Sequence, residues 1–151
     1  MSYKITKETA HPLIRLALDE DISTGDVTSL AIFTGNEISS AYIMAKQSGI
    51  VCGGELVKWV YEEIDTQVTV TQLISDGSAI NKGDTVITIA GPTKSILEGE
   101  RTALNFFQRL SGIASKTNTI VQLVEGSSIS ILDTRKTLPG FRLLDKYAVN
   151  C

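Results

Sequence analysis

ILDTRKTLPGFRLLDK, residues 131–146, decides how the C-terminal part of this chain is read. The apolar run Ile129 to Leu132 has the length of a buried strand and stops abruptly at Asp133-Thr134-Arg135-Lys136-Thr137. Pro139-Gly140 turns the chain, Arg142 adds a third cation, and Arg142 to Val149 carries helical spacing. With the helical pattern that precedes it, this gives helix, strand, loop, helix, which is the opening of a repeating α/β unit. Guanidinium is a planar fork of N–H donors that meets carboxylate or phosphate oxygens two at a time, and a lysine beside it adds a compact charge. Two such groups at a strand end make an anion grip. The competing reading is a solvated strand end with scattered surface charge.

One parallel strand needs neighbours on both edges and cover on both faces. Ile129 to Leu132 therefore asks for partners: either it pairs with the N-terminal sheet, or, as is expected here, the chain lacks its C-terminal portion after Cys151.

Upstream the texture changes. Ser95-Ile96-Leu97-Glu98 has the capping-box pattern, with Ser95 as N-cap. Leu97, Leu104, Phe107, Leu110 and Ala114 then share a helical face, Gly112 marks a break or a close approach, and Gly126 ends the helix. Strands are expected at Ser39–Gln47, Val68–Leu73 and Val86–Ile89, with a helix at Glu55–Ile64 striped by Leu56, Trp59, Val60 and Ile64. Asp76-Gly77 and Lys82-Gly83-Asp84 are turns. At the N-terminus, Pro12 suits a first helical turn, and Leu13 to Leu18 is amphipathic. Acid at Asp19-Glu20-Asp21 opposes a helix C-terminus, so the chain is expected to leave the helix there for a polar loop, Ser23 to Asp26. Short strands joined by tight turns around helices give an α+β, mostly antiparallel layer.

At 151 residues the chain fits one domain or slightly more. Apolar residues are 42% and charged ones 21%, as in ordinary globular proteins, and the net charge of −3 with no basic run argues against a nucleic-acid partner. Neither a signal-peptide pattern nor a membrane-length apolar run occurs, so a cytoplasmic protein is expected. Cys52 and Cys151 lie far apart without metal-like spacing and read as reduced thiols with no assigned task. His11, the one histidine, reads as structural.

The blocks Glu98-Gly99-Glu100-Arg101-Thr102-Ala103-Leu104-Asn105-Phe106, Leu110-Ser111-Gly112-Ile113-Ala114-Ser115 and Ile131 to Gly140, together with Glu20-Asp21, Gly25-Asp26-Val27-Thr28, Gly49 to Gly53 and Gly83-Asp84 to Gly91-Pro92, resemble the quinolinate phosphoribosyltransferase family. The resemblance covers nearly everything from Leu13 onward. It implies an N-terminal α/β sandwich domain, residues 1–111, followed by the start of an α/β barrel, residues 112–151. It implies homodimers with shared active sites. It implies transfer of a phosphoribosyl group from phosphoribosyl pyrophosphate to quinolinate with decarboxylation, giving nicotinate mononucleotide, pyrophosphate and CO2 on the way to NAD.

By the same resemblance Arg135 clamps a substrate carboxylate, and Lys136 beside it is a catalytic as well as a substrate-binding group. Thr137 offers a hydroxyl to phosphate, with Thr134 as a second candidate, and Asp133 orients the neighbouring cations. Arg101 crosses the dimer interface into the neighbour's site; its competing reading is a salt bridge to Glu98 or Glu100 on its own helix. Arg142 has a site or a surface role. Mg2+ arrives with phosphoribosyl pyrophosphate, and its ligands belong to family blocks that this sequence does not contain, so the isolated chain is expected to be inactive. Two alternatives stand beside this. One is a related phosphoribosyltransferase of a group linked to molybdenum transport. The other is a non-catalytic binding or assembly module, since Lys82-Gly83-Asp84-Thr85-Val86 is similar to the turn-and-strand texture of lipoyl carrier domains, although Lys82 lacks their apolar setting.

Overall fold

The structure, a computed structural model, describes residues 4–22 and 37–151. The polar loop expected at Ser23 to Asp26 and the block Gly25 to Thr28 lie outside the described residues. Along the chain come α1 (Lys7–Ile22), β1 (Ile38–Met44), β2 (Gly49–Ile50), α2 (Gly54–Ile64), β3 (Thr69–Gln72), β4 (Ala79–Ile80), β5 (Thr85–Pro92), α3 (Thr93–Leu123) and α4 (Arg142–Asn150).

β1, β5 and β3 form an antiparallel sheet with β5 in the centre, and β2 pairs with β4 in an antiparallel ribbon. The register sets Ala41 opposite Ile89, Ile43 opposite Ile87, and Val70 on the other side of Ile89. Directly opposed residues share a face, so this row is the inner surface, packed into the core with Val57, Val60, Phe106 and Leu110. The outer row, Tyr42, Thr88 and Thr71, is polar or exposed, as in antiparallel sheets with one wet side. The α+β, antiparallel reading therefore holds.

Helix α1 is longer than the apolar stripe indicates, at both ends. Thr6 Oγ1 accepts the N–H of Thr9 at 3.3 Å while Thr9 Oγ1 accepts that of Thr6 at 3.1 Å. This reciprocal cap starts the helix early, so Pro12 sits inside it rather than in the first turn. Asp19 to Asp21 do not end it either: Leu18 is buried, Ile22 packs on the core, and Asp21 pairs with Arg101 of α3 at 3.7 Å. Those gains exceed a dipole penalty of about 0.3–1 kcal/mol.

Helix α3 corrects three expectations. It begins at Thr93, and Ser95 does not cap it; its hydroxyl donates instead to Asp65 Oδ2 at 2.7 Å. Its buried stripe is Ile96, Gly99, Ala103, Phe106, Phe107, Leu110 and Ala114, leaving Leu97 38% exposed. Gly112 neither breaks the helix nor receives a neighbour, because a Cβ there would meet nothing within 4 Å. Gly99 is the site of close approach: a Cβ would lie 2.6 Å from Tyr61 Cε1 and 2.8 Å from Ile64 Cδ1 of α2.

The strand expected at Ile129 to Leu132 is not hydrogen-bonded into a sheet among the described residues; Leu132 is 85% exposed. A strand is held by its ladder, and no described segment offers this run an edge. Helix α4 forms as expected and docks on α3 through Leu144, Asp145 and Ala148.

Candidate functional site

Residues 133–137 leave Ile129–Leu132 as a loop whose root is fastened on two sides. Asp133 accepts from Lys146 of α4, with both side chains mostly buried. It therefore anchors the loop to the next helix rather than orienting Arg135 and Lys136, as the sequence suggested. Thr134 Oγ1 accepts the N–H of Lys136 at 3.1 Å, a local turn that makes Thr134 structural. Arg142 Nη2 donates to the carbonyl of Arg135 at 3.4 Å. The backbone of the cation pair is thus tied down, while Arg135 and Lys136 are exposed and Thr137 is half-buried. These three residues line neither the cavity beside Arg109 nor the one beside Glu63 and Glu98.

Arg101 projects from α3 with its side chain 81% exposed, and its partner is Asp21 of α1 at 3.7 Å rather than Glu98 or Glu100. An exposed pair at that separation contributes little, about 0–1 kcal/mol, so the guanidinium is weakly held. His11 Nε2 lies 2.8 Å from Glu63 Oε2, joining α1 to α2, the structural part expected of it.

Sequence reasoning missed the groups that attach α4. Asp145, on its buried stripe, takes both Nη2 and Nε of Arg109 at 3.0–3.1 Å. Arg109 also lies over the ring of Phe141, 4.9 Å from its centroid, and Phe141 stacks on Phe106 at 6.0 Å. A cavity of about 320 Å³ opens beside them, lined by Glu20, Asp21, Asn105 and Arg109 among others. The signal was present: a lone acid on the apolar stripe of a short helix calls for a buried partner.

A second missed cluster joins the other end of α4 to the N-terminal part. Asp76 accepts the N–H groups of Gly53 at 2.7 Å and Gly54 at 3.1 Å, Gln72 Nε2 at 2.8 Å and the hydroxyl of Tyr147 at 2.7 Å. Its carboxylate caps the N-terminus of α2, where the helix dipole favours negative charge. Gly53 turns into that helix at φ 102°, a conformation that favours glycine. Burial, then the carboxylate of Asp76, raises the Tyr147 hydroxyl well above the usual phenol range. Next to Asp76, Cys52 Sγ lies 3.3 Å from Cys151 Sγ. These two thiols and Asp76 are the one group of three or more among the described residues whose possible metal-ligand atoms all come within 4.8 Å of one another. Soft thiols suit neither Mg2+ nor any other hard cation, and the four hydrogen bonds already occupy the carboxylate.

The serine pair of Leu110-Ser111-Gly112-Ile113-Ala114-Ser115 has a clear task. Ser111 Oγ accepts the N–H of Cys52 at 3.0 Å and donates to its carbonyl at 3.1 Å, and Ser115 Oγ accepts the N–H of Ile50 at 2.8 Å. One turn apart on α3, the two hydroxyls satisfy the buried backbone of the Gly49–Gly53 segment.

Comparison with known proteins covers both halves of the chain. The family described as quinolinate phosphoribosyl transferase, N-terminal domain, matches residues 26–111, and the C-terminal domain of the same enzyme matches residues 113–151. A probable nicotinate-nucleotide pyrophosphorylase (carboxylating) of Bacillus subtilis is 44% identical over 86% of this chain and 45% of its own length. A quinolinate phosphoribosyltransferase (decarboxylating) of Nicotiana tabacum is 40% identical over 96% of this chain and 43% of its own. Among solved structures, a nicotinate-nucleotide pyrophosphorylase from Francisella tularensis superposes with a TM-score of 0.93 at 37% identity, covering 99% of this chain and 53% of that one. The chain thus spans about half the length of the relatives it matches.

Proposed function

The chain belongs to the quinolinate phosphoribosyltransferase family, and we propose on that premise that the natural protein joins quinolinate to phosphoribosyl pyrophosphate, releasing pyrophosphate and CO2 and forming nicotinate mononucleotide. The observation that carries this reading is the loop Arg135–Lys136, two adjacent exposed cations on a backbone fastened by Asp133–Lys146, the Thr134 turn and Arg142.

Quinolinate brings two carboxylates on a pyridine ring, and phosphoribosyl pyrophosphate brings a monophosphate and a diphosphate. Arg135 meets a carboxylate with its fork. Lys136 is the catalytic group: it sits on a carboxylate or phosphate oxygen, and its charge offsets the electron pair left on the ring carbon as CO2 departs. Thr137 donates its hydroxyl to a phosphate oxygen. Arg101, exposed and weakly paired, reaches the site of a second subunit in a homodimer. Mg2+ enters with phosphoribosyl pyrophosphate. The cations of one chain close only part of a site, so the 151-residue chain by itself binds anions weakly and does not turn over.

The test is an assay of the natural gene product with quinolinate, phosphoribosyl pyrophosphate and Mg2+, following nicotinate mononucleotide. Product formation from quinolinate supports the reading. Transfer to other nitrogen acids with none to quinolinate overturns it in favour of the molybdenum-linked relatives, and clear turnover by the 151-residue chain alone refutes its predicted inactivity.

A further inference from the structure

We propose that Cys52 and Cys151 are a redox-active dithiol that closes to a disulfide, stapling the end of helix α4 to the corner between β2 and α2. The two residues are 99 positions apart, yet their sulfurs are 3.3 Å from each other, near van der Waals contact. A disulfide needs about 2.0 Å, so the remaining approach is small. Both sides are held in place. Cys52 has its N–H and its carbonyl bound to Ser111 Oγ. The turn that carries Cys151 is held by Tyr147, whose hydroxyl donates to Asp76 Oδ2 at 2.7 Å, and by the Cys151 N–H, which donates to the carbonyl of Tyr147 at 3.2 Å.

The geometry separates the two roles. Cys52 is fully buried, whereas Cys151 is half-buried and faces any reagent first. The thiol of Cys52 donates to the sulfur of Cys151. That hydrogen bond lowers the pKa of Cys151 and raises that of Cys52 above the ordinary thiol range, so Cys151 is the more readily ionised of the two and the attacking sulfur. Metal capture is the competing use of such a cluster, and the saturation of Asp76 by four donors argues against it.

With a low-molecular-weight disulfide such as oxidised glutathione as oxidant, the steps balance. The Cys151 thiolate attacks one sulfur; an S–S bond breaks and one glutathione thiolate leaves. Cys52 then gives its proton to a departing thiolate and attacks Cys151 Sγ, forming the internal disulfide and releasing the second glutathione. The protein loses two electrons and the oxidant gains them.

The experiment incubates the chain with oxidised glutathione, quenches with acid, and counts thiols in denaturant beside a non-reducing peptide map and a melting curve. Expected are the loss of both thiols, a linked peptide pair containing Cys52 and Cys151, and a melting temperature raised by roughly 5–15 °C that reductant reverses. Cys52→Ser should instead stop at a glutathione adduct on Cys151, and Cys151→Ser should leave Cys52 unmodified in the folded state. Because a serine at the buried Cys52 position can unfold the chain, the wild-type peptide map decides. Both thiols surviving, a stable glutathione adduct on wild-type Cys151, a disulfide between two chains, or tight metal binding that quenches both thiols would overturn the proposal.

Discussion

Gly99 shows how much one residue can settle. Its hydrogen fills the gap between α3 and the Tyr61 ring, where even a methyl would collide. Gly99→Ala should therefore destabilise the fold by about 1–3 kcal/mol, seen as a lower denaturant midpoint with unchanged slope. Tyr61 itself is buried, its hydroxyl donates to the Ile96 carbonyl at 3.1 Å, and burial followed by the charge of Glu100 pushes its pKa up to about 12. Asp65 is displaced the other way, below the usual aspartate value of 3.8, first by the Gln67 N–H and then by the Ser95 hydroxyl. A depressed carboxyl pKa adds stability that is present above the unfolded value and disappears as pH falls through the folded one. Asp65→Asn should accordingly flatten the stability curve below about pH 4, with little change in slope nearer neutrality. A carboxyl titration by NMR that places Asp65 at or above the ordinary value would sink this.

At the scale of elements, the two helices flanking the cation loop respond in opposite ways. Gly112 lies mid-helix in open space, so Gly112→Ala should stabilise α3 by about 0.5–1 kcal/mol. Asp145→Asn leaves Arg109 facing a neutral group inside the α3–α4 contact and should cost about 2 kcal/mol by urea unfolding. Most of the antiparallel layer was legible because alternation at Ala41, Ile43 and Ala45 and the stripe Leu56, Val60, Ile64 are local periodicities of 2 and 3.6. The errors lie where a distant partner outweighs a local rule. Ser95 prefers Asp65, thirty positions back, to its own helix end, and Leu18 and Ile22 keep α1 going past its acids by packing on the core. Likewise Asp133 spends its charge on Lys146. Within the site, only the neighbours Arg135 and Lys136 were visible from adjacency; the Asp76 cluster and the thiol pair are assembled from segments 71 and 99 residues apart and left no local trace.

For the molecule as a whole, the solvent-facing apolar residues separate folding from function. Ile129 and Leu132 are 61% and 85% exposed, so Ile129→Ser with Leu132→Ser should change unfolding free energy by no more than about 0.5 kcal/mol. On the proposed reaction, Arg135→Ala should lower kcat/KM for quinolinate by about 10²–10³-fold while the melting temperature stays put, since that side chain is exposed. No helix among the described residues is long and apolar enough to cross a membrane. Helix α3 runs unbroken for 31 residues, a rigid beam about 46 Å long. One end is wedged against α2 at Gly99, its middle is tied through Ser111 and Ser115 to the Gly49–Gly53 segment, and Arg101 and Arg109 project from the same rod. A lever of that stiffness couples the backbones that carry its two arginines: any tilt that displaces the root of Arg101 must also swing that of Arg109, and with it the helix that anchors the loop of Arg135 and Lys136.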